Sequence, residues 1–250
     1  MGNPLSLRLG DNFKGVTTMP NERFMFAYLF NNNINLVDAS NLSLISTVTR
    51  DNCYRNMFSG CSSLTYGPEL PATNTTSSCY QNMFSGCSNL IEAPYINLTS
   101  AGYYSMNKMF YGCSSLISIP RIPNINGAFA SANMFYGCIN LTSVPSFTVT
   151  YGDSTANNMF YGCTSLVRLD ITFSGETANG VSYMFTGCSK LEYVTDELPA
   201  THGKNDCYRQ MFKDCTSLIT APEIALTSVE GTRNCSEMFR NCASLTTAPS

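Results

Sequence analysis

The chain has 250 residues, of which 44% are hydrophobic and only 12% charged. Globular chains carry about 25% charged residues, so the surface here must be built mainly from Ser, Thr, Asn and Tyr. A formal charge of −3 provides no basic field for nucleic acid and no strongly acidic one, and no run approaches the ~18 apolar residues of a membrane span.

The N-terminus, MGNPLSLRLG, lacks the apolar stretch of a secretory signal. Met1-Gly2 followed by Ser6 fits the short myristoylation pattern, but a start codon placed before an excised domain fits equally well. Phe13, Val16, Met19 and Pro20 suit a partial repeat unit, so residues 1–24 are read as an N-terminal cap.

From residue 25 onward one unit recurs. MFSGC stands at 57–61 and 83–87, MFYGC at 109–113, 134–138 and 159–163, MFTGC at 184–188, MFKDC at 211–215 and MFRNC at 238–242. The Met residues are separated by 26, 26, 25, 25, 25, 27 and 27 positions. A fixed period of this size is the mark of a solenoid and outweighs any reading of isolated segments. Leu29-Phe30 takes the Met-Phe place in the first unit, with Asn33 in the cysteine slot.

Within each unit, segments such as CYRNMF (53–58) place apolar residues at i, i+1, i+4 and i+5, one stripe of a short helix. Three residues after Met comes Gly60, Gly86, Gly112, Gly137, Gly162 or Gly187, replaced in outlying units by Asn32, Asp214 or Asn241. These residue types tolerate positive φ and predict a left-handed stop. Seven residues after Met is always Leu, as in Leu64 and Leu116, which anchors a short extended segment that Pro usually closes. Length differences fall in the polar stretches 71–78, 150–157 and 174–180, which read as surface loops. The predicted architecture is an α/β solenoid of about nine rungs over 25–250, each a short helix, a turn and a short parallel strand.

Eight of the twelve cysteines follow the predicted stop: Cys61, Cys87, Cys113, Cys138, Cys163, Cys188, Cys215 and Cys242. The other four, Cys53, Cys79, Cys207 and Cys235, open the apolar stripe. Cys53 and Cys61 are too far apart within one rung for a bridge, and in-register side chains of neighbouring rungs run parallel instead of converging. No C-x-x-C pair occurs and His202 is the sole histidine, so a Cys/His zinc site is not expected. The residues favour buried free thiols filling a structural slot over disulfides or metal.

The unit CYRNMFSGCSSLTYGPELPAT (53–73), echoed in CYRQMFKDCTSLITAPEI (207–224), resembles the BspA-like leucine-rich repeats of bacterial and protist surface proteins. The likeness runs over 25–250; Asp170 and Thr195 depart from it by replacing Pro. It implies a leucine-rich-repeat-like solenoid displayed at a cell surface, binding a host or neighbouring-cell protein or glycan. The chain stops in mid-rung at Ser250, so a fragment, or an end covered by a partner, another domain or a second copy, is expected.

No catalytic constellation, cofactor motif or metal set is expected. His202 reads as a loop residue, and Asp153, Asp170, Glu176, Asp196 and Glu197 are scattered by rung, whereas acid–base work needs mutual geometry. The slot nine residues after Met holds Asp38, Tyr66, Glu92, Ser118, Ser143, Arg168 and Tyr193. Such varied chemistry marks exposure, either of a binding face or of a plainly solvated one. Asp38, Tyr66, Glu92, Arg168 and Tyr193 are the candidate contacts, since aromatic residues and Arg dominate hot spots. Loops bearing Tyr103, Tyr104 and Tyr151 are a rival surface. A non-enzymatic adhesion module is the first reading, and a structural or receptor-binding component of a phage particle the second.

Overall fold

A computed structural model describes residues 23–44 and 49–249; residues 1–22 of the expected cap lie outside it. Coils of 25–28 residues stack in parallel register. One row of single bridges runs Asp38–Tyr66–Glu92–Ser118–Ser143 and again Arg168–Tyr193. A second row holds β1 (Ser100–Ala101), β2 (Asn124–Ile125), β3 (Phe147–Thr150) and β4 (Ile171–Ser174), paired in that order. Further along each return, β5 (Thr177–Ala178) pairs with β7 (His202–Gly203) and β7 with β9 (Ser228–Val229), while β6 (Glu197–Leu198) pairs with β8 (Glu223–Ile224). All of these pairings are parallel. Segments expected to be loops, 150–157 and 174–180, therefore contribute strand ends and β5 to the stack.

The expected short helix is not found among the described residues, and with it goes the picture of about nine helix-turn-strand rungs. Residues such as 50–61 instead form overlapping turns. Alternate N–H groups close these turns: Cys53 donates to Arg50, Arg55 to Asn52, Met57 to Tyr54, Ser59 to Asn56 and Cys61 to Phe58. The intervening N–H groups leave the coil. Asn52 donates to Ser77, Tyr54 to Cys79, Asn56 to Gln81, Phe58 to Met83 and Gly60 to Ser85, at 2.7–3.2 Å. An α-helix keeps its N–H groups within itself, so it could not bond to its neighbours; this arrangement ties every second residue to the next coil.

The geometry requires a left-handed residue at every fourth position. In one coil these are Asn52, Asn56 and Gly60, with φ of 58, 55 and 77°. In the next they are Ser78, Asn82 and Gly86 at 58, 55 and 76°. Asn32, Asp214 and Asn241, which replace Gly in the third place, have φ of 58–62°. Asn and Asp reach this region at lower cost than branched side chains because their short polar side chains bond locally.

The same four-residue spacing turns Tyr54, Met57, Phe58 and Cys61 inward, each at most 1% exposed. Their equivalents in adjacent coils lie directly above one another. Phe30, Phe58, Phe84, Phe110, Phe135, Phe160, Phe185, Phe212 and Phe239 form a continuous stack, with centroids 5.3–5.7 Å apart and planes within 15°. Leu64, Leu90, Leu116, Leu141, Leu166 and Leu191 make a parallel buried column. Burying a Phe or Leu side chain contributes about 1.5–3 kcal/mol, but only because the coil above and the coil below supply the cover.

Turn and helix predict opposite orders of stability at Asn133, whose φ is 58°. Asn133→Gly is expected to stay within about 0.5 kcal/mol of the parent, and Asn133→Val to cost about 1–2 kcal/mol, both read by chemical denaturation. In a helix interior Gly would be the worse residue, by up to about 1 kcal/mol relative to Ala; that order, or a helical double minimum in far-UV circular dichroism, would contradict the turn geometry.

A candidate binding strip on the outer strand row

Each coil leaves its turns at the invariant Leu and extends for three residues. The third, ten after Met, is buried in most coils, as with Ala93, Ile119, Leu169 and Val194. The two before it face outward. The position nine after Met carries the candidates Asp38, Tyr66, Glu92, Arg168 and Tyr193. Asp38, Tyr66 and Glu92 lie in consecutive coils, and Arg168 and Tyr193 in another adjacent pair. At about 4.8 Å per coil, Glu92 and Arg168 are about 14 Å apart, so the row is a ladder with two ends and not a single pocket.

At the second end the side chains are ordered by one another. The Arg168 guanidinium sits over the Tyr193 ring at 4.7 Å from its centroid, and the Tyr193 hydroxyl donates to Asp196 at 3.1 Å. Desolvation and this bond to an anionic acceptor raise the Tyr193 pKa, keeping the phenol protonated. At the first end Asp38 accepts the Ser40 N–H at 2.8 Å, which lowers its carboxyl pKa. Beside Tyr193 a cleft of about 410 Å³ is lined by Asp170, Thr172, Asp196 and Glu197 among others. Three carboxylates that the sequence left scattered thus face one depression.

The neighbouring position, eight after Met, also faces outward. It holds Val37, Thr65, Ile91, Ile117, Thr142, Val167, Glu192 and Ile219. Val37, Ile91, Ile117, Val167 and Ile219 are 36–55% exposed, and successive members are joined by backbone bonds such as Ile117 N–H to Ile91 C=O at 2.9 Å. β-Branched residues suit an extended backbone, which explains their recurrence. The result is an aliphatic stripe alongside the Tyr/Arg row, continuous at Ile91 and Ile117 and interrupted by Thr65, Thr142 and Glu192. The signal was present in the sequence as a β-branched slot next to a variable one.

The rival surface has its own order. Tyr103 meets Tyr104 edge-on at 4.7 Å, and Tyr104 stacks on Phe129 at 4.6 Å. Tyr151, by contrast, is turned inward: its hydroxyl and that of Tyr208 are 2.9 Å apart, and burial raises its pKa. His202 is exposed in β7, with its ring nitrogen 2.9 Å from the Thr201 hydroxyl. Among the described residues no group of three or more His, Cys, Asp or Glu is placed to hold a metal ion, and no helix is long and apolar enough to cross a membrane.

All twelve cysteines are free thiols. The eight after the left-handed turn do more than fill space. Each donates its S–H to the Phe carbonyl of the preceding coil: Cys113 to Phe84, Cys138 to Phe110 and Cys163 to Phe135, all at 3.1 Å. Burial raises their pKa, to about 12 for Cys188 and about 11 for Cys242. They are held neutral as donors, a poor state for a nucleophile or metal ligand.

Residues 23–151 and 131–249 match the family model described as BspA type leucine rich repeat region, with six copies. No curated protein matches the chain. Among solved structures it is similar to a leucine-rich repeat protein from Bacteroides ovatus, at 17% identity over 82% of this chain and 69% of that one, with a TM-score of 0.29.

The thiol ladder makes stability sensitive to alkali. Neutral thiols are retained in the fold while the unfolded chain ionises near its ordinary value of about 8.5. The contribution is therefore complete below that pH and is lost as pH rises towards the folded values of about 11–12. Thermal midpoints are expected to be level between about pH 6 and 8 and to fall steadily above about 9. Removing one rung of the ladder with Cys113→Ala is expected to cost about 1–3 kcal/mol in denaturant unfolding; no change would show that the S–H bond and its packing contribute nothing.

Proposed function

The chain belongs to the BspA-type leucine-rich repeat family, and from that premise we propose that it is a non-enzymatic recognition module of a cell surface, binding a protein of a host or neighbouring cell through its outer strand row. The observation that carries the reading is the pairing of the aliphatic stripe with the Tyr66, Arg168 and Tyr193 row. Exposed apolar area rimmed by polar groups marks protein contact, and Tyr and Arg are the residues that most often anchor it. The stripe favours a protein over a glycan as the principal ligand, because Ile and Val offer a sugar neither hydrogen bonds nor a flat ring.

Asp38 and Glu92 at one end and the acidic cleft at the other set the polarity of the partner. They suit a surface with basic side chains at both ends, which gives register as well as attraction. Arg168, held against Tyr193, and Tyr193, held by Asp196, lose little side-chain freedom on binding, so less of the interaction is spent on ordering.

Binding to an array of host proteins and glycans tests the reading. A protein ligand is expected, with Arg168→Ala plus Tyr193→Ala weakening it at least tenfold and Ile117→Glu disrupting the stripe independently. Undiminished binding by a variant carrying Tyr66→Ala, Arg168→Ala and Tyr193→Ala would remove the strand row from consideration and leave the Tyr103–Tyr104 side as the surface to examine.

A further inference from the structure

Eight cysteines face a carbonyl, whereas the four that open the stripe face one another in two pairs, Cys53 with Cys79 and Cys207 with the half-buried Cys235. The fully buried first pair is the closer candidate for a bond. Cys53 and Cys79 occupy the same place in adjacent coils, four residues before Met57 and Met83, and their sulfurs are 3.0 Å apart. That separation corrects the expectation from sequence that in-register side chains only run parallel. The backbones are tied by the Tyr54 N–H to Cys79 C=O bond at 3.2 Å, and a coil spacing of about 4.8 Å falls inside the Cα range of about 4.4–6.8 Å for a disulfide. Bringing the sulfurs to about 2.05 Å takes roughly 1 Å of movement. The only S–H bond given up on closure is the one the two thiols share; the backbone groups of Arg50 and Tyr54 beside the Cys53 sulfur can stay where they are. Cys61 and Cys87 differ: their sulfurs are engaged by the carbonyls of Phe30 and Phe58, bonds that oxidation would destroy.

We propose that Cys53 and Cys79 are a disulfide-forming site, an inter-coil staple that closes when the chain folds in contact with a small-molecule disulfide and stays open in a reducing compartment. Both residues are fully buried, so the reaction belongs to folding, before Tyr54 and Tyr80 seal the site. The thiolate of one cysteine attacks a sulfur of glutathione disulfide, forming a mixed disulfide and releasing one glutathione thiolate. The second cysteine attacks the protein sulfur of that mixed disulfide, forms the Cys53–Cys79 bond and releases the second glutathione. The two protein thiol protons pass to the two released thiolates; the protein pair loses two electrons and glutathione disulfide gains them.

The test refolds the unmodified chain from denaturant with glutathione disulfide and glutathione, and in parallel with reductant. Thiols are then counted under denaturing conditions and linked peptides mapped by mass spectrometry. The oxidised sample is expected to contain a Cys53–Cys79 linked peptide, to have lost at least two of its twelve thiols, and to melt about 6–12 °C above the reduced one. Cys79→Ala should remove the linked peptide and the gain in melting temperature together. Twelve thiols after oxidative refolding, a link confined to Cys207–Cys235, or bridges scattered among Cys61, Cys87 and Cys113 would each overturn the assignment.

Discussion

The structure depends on how its backbone amides are divided. In the turn column every second N–H closes a turn in its own coil, and every other one is given to the coil that follows. Neither set suffices alone. The turns without the neighbour leave half the amides bare, and the neighbour without the turns has no aligned donors to receive. The period, the inward Met-Phe pair and the stacked rings all follow from this shared accounting, because register can hold only if each coil repeats the geometry of the one before. A coil is therefore not an independently stable object, and its hydrophobic slots acquire their value only in the stack.

The repeat itself was plain in the sequence. A constant Leu, an inward Met-Phe pair and a Gly/Asn/Asp slot identify stacked coils without any reference to coordinates, and that slot is left-handed in the structure. The expected helix gives way for a specific reason. Apolar residues at i, i+1, i+4 and i+5 fit a period of 3.6 and a period of 4 equally over only ten residues, and short runs are where periodicity decides least. The deciding signal was the residue before Met, which is Asn in Asn56, Asn82, Asn133 and Asn158. Set four residues before the Gly slot, it announces a second left-handed position where an α-helix allows none. Lys108, Tyr183, Gln210 and Glu237 hide the rule elsewhere, since there the stack imposes the conformation that the residue would not choose.

The candidate surface was legible to a different degree. Variable chemistry beside invariant Leu located the outward row: Tyr66 and Arg168 are exposed and Tyr193 is half-buried, with Tyr66 four coils before Arg168. What sequence could not supply was lateral context: the aliphatic row one residue earlier, the guanidinium laid over a ring, and the convergence of Asp170, Asp196 and Glu197 on one cleft. These depend on how far each return segment shifts the next coil, and the returns are the least regular part of the repeat. The cysteines divide on the same ground. Those with a carbonyl within reach are fixed as donors, whereas the four without one turn to each other in two pairs.

The coil-to-coil bonds of the turn column share one direction. From Phe24 to Asp51, through Phe110 to Met134, to Asp214 and Arg240, the donor always lies in the earlier coil and the acceptor in the later one. Parallel strands exchange bonds both ways and largely cancel, but aligned peptide dipoles add. The turn column therefore carries a permanent electrical polarity along the solenoid axis. Each coil thus turns carbonyls to the coil before it and amides to the coil after it, and its two faces are not interchangeable.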